Sequence, residues 1–433
     1  MTVGDLKNTS DPDKTGREMH SLVTELYPIC RSITGEGFRR TMEILGSRIP
    51  LRVEGVPSGT KVFDWSVPRE WNIRDACVKN SRGERVIDFR ESNLHVVNYS
   101  MPVRKTVSLE ELKDHLFTLP GHPDWVPYRT SYYKENWGFC LSHKRLRELE
   151  EGEYEVFIDS TLEDGFLHYG EVYLRGEEED EILISCHACH PSLANDNLSG
   201  VSLATVLAQH LGAVSRRFSY RFLFVPGTIG AIAWLSMNEA SVHRIKHGLV
   251  LAGVGGPGKI TYKKSRRGDA EIDRAAAHVL GHCGGGYDIT DFDPYGYDER
   301  QYCSPGFNLA VGCFSRGRYG RYPEYHTSAD NLLFVRPQFL GDSFHTVLSI
   351  LAVLEGNCTY VNLSPKCEPQ LGKRGLFDKA GADEMALLWV LNLSDGTKSL
   401  LEIAEISGLR FDDIRSAAEV LSENNLLGKE SRN

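Results

Sequence analysis

No stretch of this 433-residue chain approaches the roughly 18 consecutive apolar residues that a membrane-crossing helix needs, so no membrane span is expected. The opening residues, MTVGDLKNTSDPDKTGRE, lack the basic-then-apolar order of a secretion signal, which makes the cytoplasm the expected compartment. There is no internal repeat and no low-complexity tract. Basic residues are in deficit: 49 Lys and Arg against 59 Asp and Glu give a formal net charge of −10. Phosphate contacts need clustered Lys and Arg, so nucleic acid is not an expected partner. The ten cysteines are scattered from Cys30 to Cys367 without a dense framework, which excludes a disulfide scaffold and leaves most of them as reduced, buried small hydrophobes. What is present is ordinary for a globular protein, with 41% apolar and 25% charged residues. The length points to two or three domains.

Residues 18–50 carry apolar positions at helical spacing, interrupted at Pro28 and at the turn GEG, and read as two helices with a connector. From Lys61 the texture becomes short β-branched and aromatic runs (VFDWSVP, ACVKN, RVIDF, LHVVNYS) separated by polar turns, as in an antiparallel sheet. One helix, SLEELKDHLFTLP, interrupts it, with Ser108 and Glu111 placed as a capping box. Strands resume with YEVFIDS and EVYLRG. At Glu181 the order becomes strand, loop, helix: EILISC, HACHPSLANDNLSG, VSLATVLAQHLGA, then YRFLFV, PGTIG, AIAWLSMNEA, then GLVLAGV. Apolar strands alternating with helices predict a mostly parallel sheet covered on both faces, with ligands at the carboxyl ends of the strands. A loop-rich stretch ending in YPEYHTSADN precedes a long apolar helix near Phe344–Leu354.

The tail beyond Leu376 predicts three short amphipathic helices, the last two forming a helix-turn-helix about Gly408. Residues 374–433 hold seven basic against eleven acidic side chains. The would-be recognition helix has Asp412, Asp413, Glu419 and Glu423 against Arg415. This charge disfavours DNA binding and makes the tail read as a docking or oligomerisation module, so a homo-oligomer is compatible with the sequence.

The polar loop after EILISC brings His187, His190 and Asp196 within ten positions of the end of a buried strand. Imidazole and carboxylate are the ligand set of a catalytic zinc, which takes three protein ligands and keeps one position open. His326, in EYHTSADN, is the natural partner from a later polar loop. A closed thiolate–imidazole site from Cys186, His187, Cys189 and His190 competes, but Cys186 is expected to point into the sheet, because neighbours on a strand face opposite ways. Among other polar clusters, DERQ offers Asp298 or Glu299 for an ammonium group and Arg300 for a carboxylate; Arg266 and Arg267 in KKSRRGD could clamp an acid. Tyr325 stands beside His326 as a candidate oxyanion donor, and the aromatics of PYRTSYYKENWGFC suit either a lid or a sheet core.

In that order, ILISCHACHPSLANDNLSG, FVPGTIGAIAWL and YPEYHTSADN resemble the zinc aminopeptidase superfamily that includes aminopeptidase Y and glutamate carboxypeptidase. The resemblance is closer to a bacterial aminopeptidase-like subgroup that adds an inserted β-rich domain and a C-terminal winged helix. It implies an α/β, zinc-exopeptidase-like catalytic domain over residues 1–60 and 166–365, the insertion over 61–165, and a winged-helix-like domain over 370–433. It matches Asp196 to the zinc-binding carboxylate and His326 to the late histidine ligand. Strand length favours His187 as the early ligand, whereas the CHP motif favours His190; the second imidazole would then orient the ligand or polarise substrate. The chain departs from the superfamily where two consecutive glutamates, a general base and a ligand, are expected: it has Gly227 and Thr228. Gly255 and Gly256 stand where an aspartate would hold a second zinc, so one ion is implied. Gly227 is either natural divergence or an inactivating change, and a substitute base could come from Glu324 or Glu299. The implied activity is hydrolysis of an amide next to a free amine in a small peptide or aminoacyl compound. The alternative is a zinc-containing protein that binds such a compound without turnover.

Overall fold

A computed structural model describes residues 1–376 and 383–429, so the last four positions of the tail and residues 377–382 lie outside the described part. Contacts group the chain into two compact units: one from Ser10–Gly268 with Tyr287–His345, the other from Met1–Thr9, Asp269–Gly286 and the chain from Thr346 onward.

The larger unit is built on an eight-stranded mixed sheet. Its strands are β1 (Arg52–Pro57), β2 (Phe166–Leu174), β3 (Glu181–His187), β4 (Ser219–Val225), β5 (Ile245–Leu251), β6 (Ile260–Lys263), β7 (Tyr287–Thr290) and β8 (Val311–Arg316), in spatial order β1-β2-β4-β3-β5-β8-β6-β7. The centre, β4-β3-β5-β8, is parallel. β2 joins β4 and β6 joins β8 antiparallel. All seven residues of β3 are buried, as its unbroken apolar run predicts for a strand covered on both faces. From β3 the chain passes through a helix to β4 on one side, and then through a second helix to β5 on the other. That reversal opens a crevice at the carboxyl ends of β3 and β5, where α/β sheets bind ligands.

The helices follow their sequence signals. α1 (Pro12–Leu26) starts with Pro12 in the first turn and with Asp11 accepting from the amides of Asp13 and Lys14; it buries Thr15, Gly16, Met19, Leu22, Val23 and Leu26 at helical spacing. α2 covers Glu36–Gly46, and α3 (Gly200–Gly212) is buried along nearly its whole length. Gly200 at its start is obligatory: a Cβ would lie 2.4 Å from the Leu251 carbonyl oxygen. Within residues 61–165 the strands Arg85–Asp88, Glu70–Lys79, Glu153–Glu163 and Val103–Ser108 form an antiparallel sheet in that order. LHVVNYS, read as a strand, is instead a short 3-10 turn at Asn93–His95 and a loop, whose Asn98 and Ser100 are tied by side-chain hydrogen bonds rather than a ladder. Ser108 caps its helix through the Glu111 amide, but the reciprocal half of the box is not made. Among the described residues one helix, Pro337–Gly356, is long and apolar enough to cross a membrane, and it is mostly buried within the protein.

In the smaller unit, helices Leu400–Ser407 and Phe411–Glu423 meet at Gly408, whose φ of 71° suits glycine, beside a three-stranded sheet of Thr359–Asn362, Asp395–Ser399 and Leu427–Lys429. This is the winged helix-turn-helix foreseen at Gly408. Helix Phe411–Glu423 is not a free face: Lys7, from helix Val3–Thr9, pairs with Asp412, and Arg415 pairs with Glu419 at 2.7 Å.

Candidate metal centre

The loop from His187 to Gly200 is fastened to the end of β5 by the polar side chains of NDNLSG. Asn197 donates from Nδ2 to the carbonyls of His187 (3.2 Å) and Leu251 (2.9 Å) and accepts from the Gly253 amide at 3.0 Å. Asn195 Oδ1 accepts from the Gly255 amide at 2.9 Å, and Ser199 Oγ from the Val254 amide at 3.0 Å. The glycines of LAGVGGPG thus serve close approach: a Cβ at Gly256 would lie 2.9 Å from the Phe334 ring. The motif spans the crevice between β3 and β5 and leaves one carboxylate, Asp196, pointing into it.

Asp196 is fully buried and lies between two imidazoles: Oδ1 is 2.8 Å from His187 Nε2, and Oδ2 is 3.0 Å from His326 Nε2. Ligand atoms of His187, His190 and Asp196 all fall within 4.8 Å of one another. The His190 ring centroid is 5.0 Å from that of His187 and 5.1 Å from that of His326. The structure therefore gathers all four residues, from β3, the following loop and the late loop. Asp196 Oδ2 and His326 Nε2 approach closely, yet neither makes a hydrogen bond. Two buried lone-pair donors in that relation fit a shared cation, and the nitrogen–oxygen donor set fits zinc. Burial would raise the Asp196 carboxyl, but the imidazoles of His190 and His187 outweigh it and hold it well below the usual range. Burial keeps His190 neutral, far below its ordinary value, as ligation requires. His187 moves the other way, because Asp196 overcomes the burial that opposes its protonation. His326 adopts a left-handed φ of 55°, uncommon for a residue with a side chain and frequent at functional positions.

Several supports were not legible in the sequence. Asp330 Oδ1 and Oδ2 accept from the amides of Asn195 (2.5 Å) and Asp196 (2.9 Å), fixing the turn that presents Asp196. Burial pushes its carboxyl up to about 8, against those two donors. Replacing Asp330 with alanine strands two buried amides, and a destabilisation of about 2–6 kcal/mol is expected at roughly 1–3 kcal/mol per group. Urea unfolding measures it, and an unchanged midpoint would show that the amides find other acceptors. Arg31, wholly buried, donates from Nε to the His190 carbonyl at 2.9 Å and from Nη1 to the Leu26 carbonyl at 2.6 Å. Tyr128 sets its ring edge-on to His190 and His326, at 5.1 Å from each, while its amide donates to the His326 carbonyl at 2.8 Å. Of the aromatic run PYRTSYY, Tyr128 packs on these two histidines, whereas Tyr132 packs on Tyr99 and Tyr133 on Trp65.

The other candidates divide. Gly227 follows β4 beside the cluster: a Cβ there would lie 3.0 Å from His187 Cβ and 3.7 Å from Asp298 Oδ1. Tyr325 stacks on His326 at 4.0 Å, Tyr297 lies parallel to His187 at 5.2 Å, and Tyr319 contacts both tyrosines. Asp298 and Glu299 are buried rather than displayed on a loop, with 1% and 0% exposure. Neither Asp298 oxygen has a hydrogen-bond partner, and burial pushes its carboxyl up to about 7. Glu299 accepts from Lys263 Nζ at 2.7 Å. Arg300 is half-buried, with no partner for its Nε. Glu324 acts through its carbonyl, which accepts from Thr327. Arg266 is exposed and donates to Asn308 Oδ1 at 3.0 Å, and it is not among the residues lining the cavity beside the cluster. The thiolate alternative is not assembled: among the described residues the metal-capable group contains no cysteine, and burial pushes the Cys189 thiol up to about 12.

Sheet order, the His–Asp–His arrangement and the helix-turn-helix tail define an aminopeptidase-like α/β protein joined to a winged helix. Residues 20–357 match the family described as a domain of unknown function, DUF4910, and residues 358–429 match a winged helix-turn-helix family. The chain belongs to the DUF4910 family. A Clostridium acetobutylicum protein, described provisionally as a polysaccharide biosynthesis protein with aminopeptidase-like domain, is 54% identical over 97% of this chain and 98% of its own. A crystal structure from Clostridium acetobutylicum, described provisionally as a peptidase, superposes with a TM-score of 0.94 at 55% identity, covering 97% of each chain. A zinc aminopeptidase from Bacillus subtilis shares the fold at 12% identity, with a TM-score of 0.57 over 78% of this chain and 94% of its own.

Proposed function

We propose that this chain is a zinc-dependent hydrolase of the aminopeptidase type, acting on an amide next to a free amine in a small peptide or aminoacyl compound. The observation that carries the reading is the placement of Asp196 between His187 and His326, with His190 beside them, at the crevice of the parallel sheet. His190, Asp196 and His326 would hold one ion, with His187 either a fourth ligand or the group that orients Asp196. Zinc held there supplies a Lewis acid for the scissile carbonyl and lowers the pKa of water toward neutrality.

The chain's own groups do the rest. Burial raises the Tyr325 hydroxyl, so it stays protonated and able to donate to a developing oxyanion. Asp298 brings an unpaired buried carboxyl beside the site that can accept a proton or face an ammonium group, whereas Glu299 is already paired with Lys263. Gly227 supplies no base, so the native rate is expected to be low. Gly227 also favours the second reading, in which the chain binds its ligand without turnover and the winged helix serves assembly. The description of the Clostridium relative is the one pointer to a setting, polysaccharide biosynthesis.

Elemental analysis of the purified chain and an assay with aminoacyl-anilides test the proposal. About one zinc per chain and a slow, chelator-sensitive release of anilide are expected. A chain that takes up no zinc overturns it, and zinc uptake without any turnover favours the binding role.

A further inference from the structure

A cavity of about 520 Å³ opens beside the metal cluster, reaching it through Tyr297 and Tyr325, the rings that pack on His187 and His326. Its size is that of a small-molecule site, roughly 300–1,000 Å³. Its lining is unusual for a peptidase pocket. No Leu, Ile, Val, Met, Phe or Trp side chain contributes, so the apolar surface on offer is chiefly that of tyrosine rings rather than of an aliphatic pocket. Charge is balanced as well, with three basic and three acidic residues. At the wall, Lys263 Nζ donates to Glu299 Oε1 at 2.7 Å and to the Tyr295 carbonyl at 3.1 Å. Glu299 Oε2 is buried with no hydrogen-bond partner.

This pair selects against charged ligands. A substrate ammonium approaching Glu299 meets Lys263, and a substrate carboxylate approaching Lys263 meets Glu299. A donor and an acceptor held side by side match neutral hydroxyls, each of which can both give and take a hydrogen bond. Four tyrosines, Tyr295, Tyr297, Tyr319 and Tyr325, add flat apolar faces with polar rims, Tyr295 and Tyr319 meeting edge to face at 5.3 Å. A pyranose ring has the complementary make-up, with C–H bonds on its faces and hydroxyls around its edge.

We propose that the cavity takes a neutral sugar ring, so that the scissile amide belongs to a sugar-bearing compound rather than to a peptide with an apolar side chain. The inference rests on the hydrolase reading only for the position of the amide; the sugar site itself stands on the cavity.

The experiment titrates the full chain, stripped of metal by chelation, with glucose, galactose, N-acetylglucosamine and N-acetylgalactosamine, and separately with leucinamide, followed by saturation-transfer NMR and calorimetry. Saturable binding of at least one sugar is expected, with leucinamide weaker. Glu299→Gln, and Tyr295→Ala at an exposed ring that folding does not need, should each weaken sugar binding about tenfold. No saturable sugar binding, binding indifferent to both variants, or leucinamide as the preferred ligand would each overturn the inference. Sugar binding without anilide hydrolysis would leave it standing while the hydrolase reading falls, and hydrolysis without sugar binding would do the reverse.

Discussion

Gly227→Glu is expected to raise the rate of amide hydrolysis by about 10²–10⁴-fold, the range that a positioned general base contributes. The backbone at this position already lies against the cluster, since a Cβ would stand 3.0 Å from His187 Cβ and 3.5 Å from His187 Cγ. A glutamate side chain starting there reaches a carboxylate further into the crevice, whereas the parent has only a hydrogen. The tight approach to His187 requires a shift of a few tenths of an ångström, and the half-exposed position leaves room for it. The comparison is kcat for both chains at saturating zinc on the same anilide. Equal rates would show that another carboxylate already does this work; Glu299→Gln and Glu324→Gln then identify which. No turnover in either chain would sink the hydrolase reading.

The second large effect is expected from Asp196→Ala, which should reduce bound zinc from about one ion per chain to near none and abolish hydrolysis. Asp196 is the only anion among the four clustered side chains, and its two oxygens lie 2.8 and 3.0 Å from imidazole nitrogens. Without it the cluster keeps three imidazoles and no anion, and His187 loses the charge that favours its protonated form. Because Asp196 is fully buried, circular dichroism and the thermal midpoint should be followed beside the zinc content. Retention of stoichiometric zinc by a folded Asp196→Ala chain would remove the basis of the site. His187→Gln and His190→Gln, assayed for zinc affinity in parallel, resolve which imidazole ligates: loss of the ligand costs more than loss of its neighbour.

The central fold was readable because β3 is buried throughout and α3 along most of its length, both mainly apolar, while the loop between them concentrates polar residues. His187, His190 and Asp196 drew attention for the same reason, and His326 through its own polar loop, YHTSADN. The choice between His187 and His190 was not, because the strand ends at His187 and the loop folds His190 back to within reach of the same carboxylate. The burial of Asp298 and Glu299 was not legible, since charged residues are seldom buried without need. Asp330, Arg31 and Tyr128 act over long separations in sequence, and no local pattern marks such partners. Nor did periodicity reveal that helix Glu271–Gly281 packs with the winged helix, where His278 Nε2 accepts from the Phe411 amide at 3.0 Å.

The segment around Tyr128 ties the candidate metal centre to the rest of the unit in one further way. Tyr128 donates to the His326 carbonyl, Ser328 to the Val126 carbonyl, and the Val126 amide to Ser328 Oγ. These amides bridge the two loops in consecutive positions, so loosening one weakens the next. Solvent exchange at Val126, Tyr128 and Ser328 is therefore expected to share one opening event, the one that parts Tyr128 from His190 and His326.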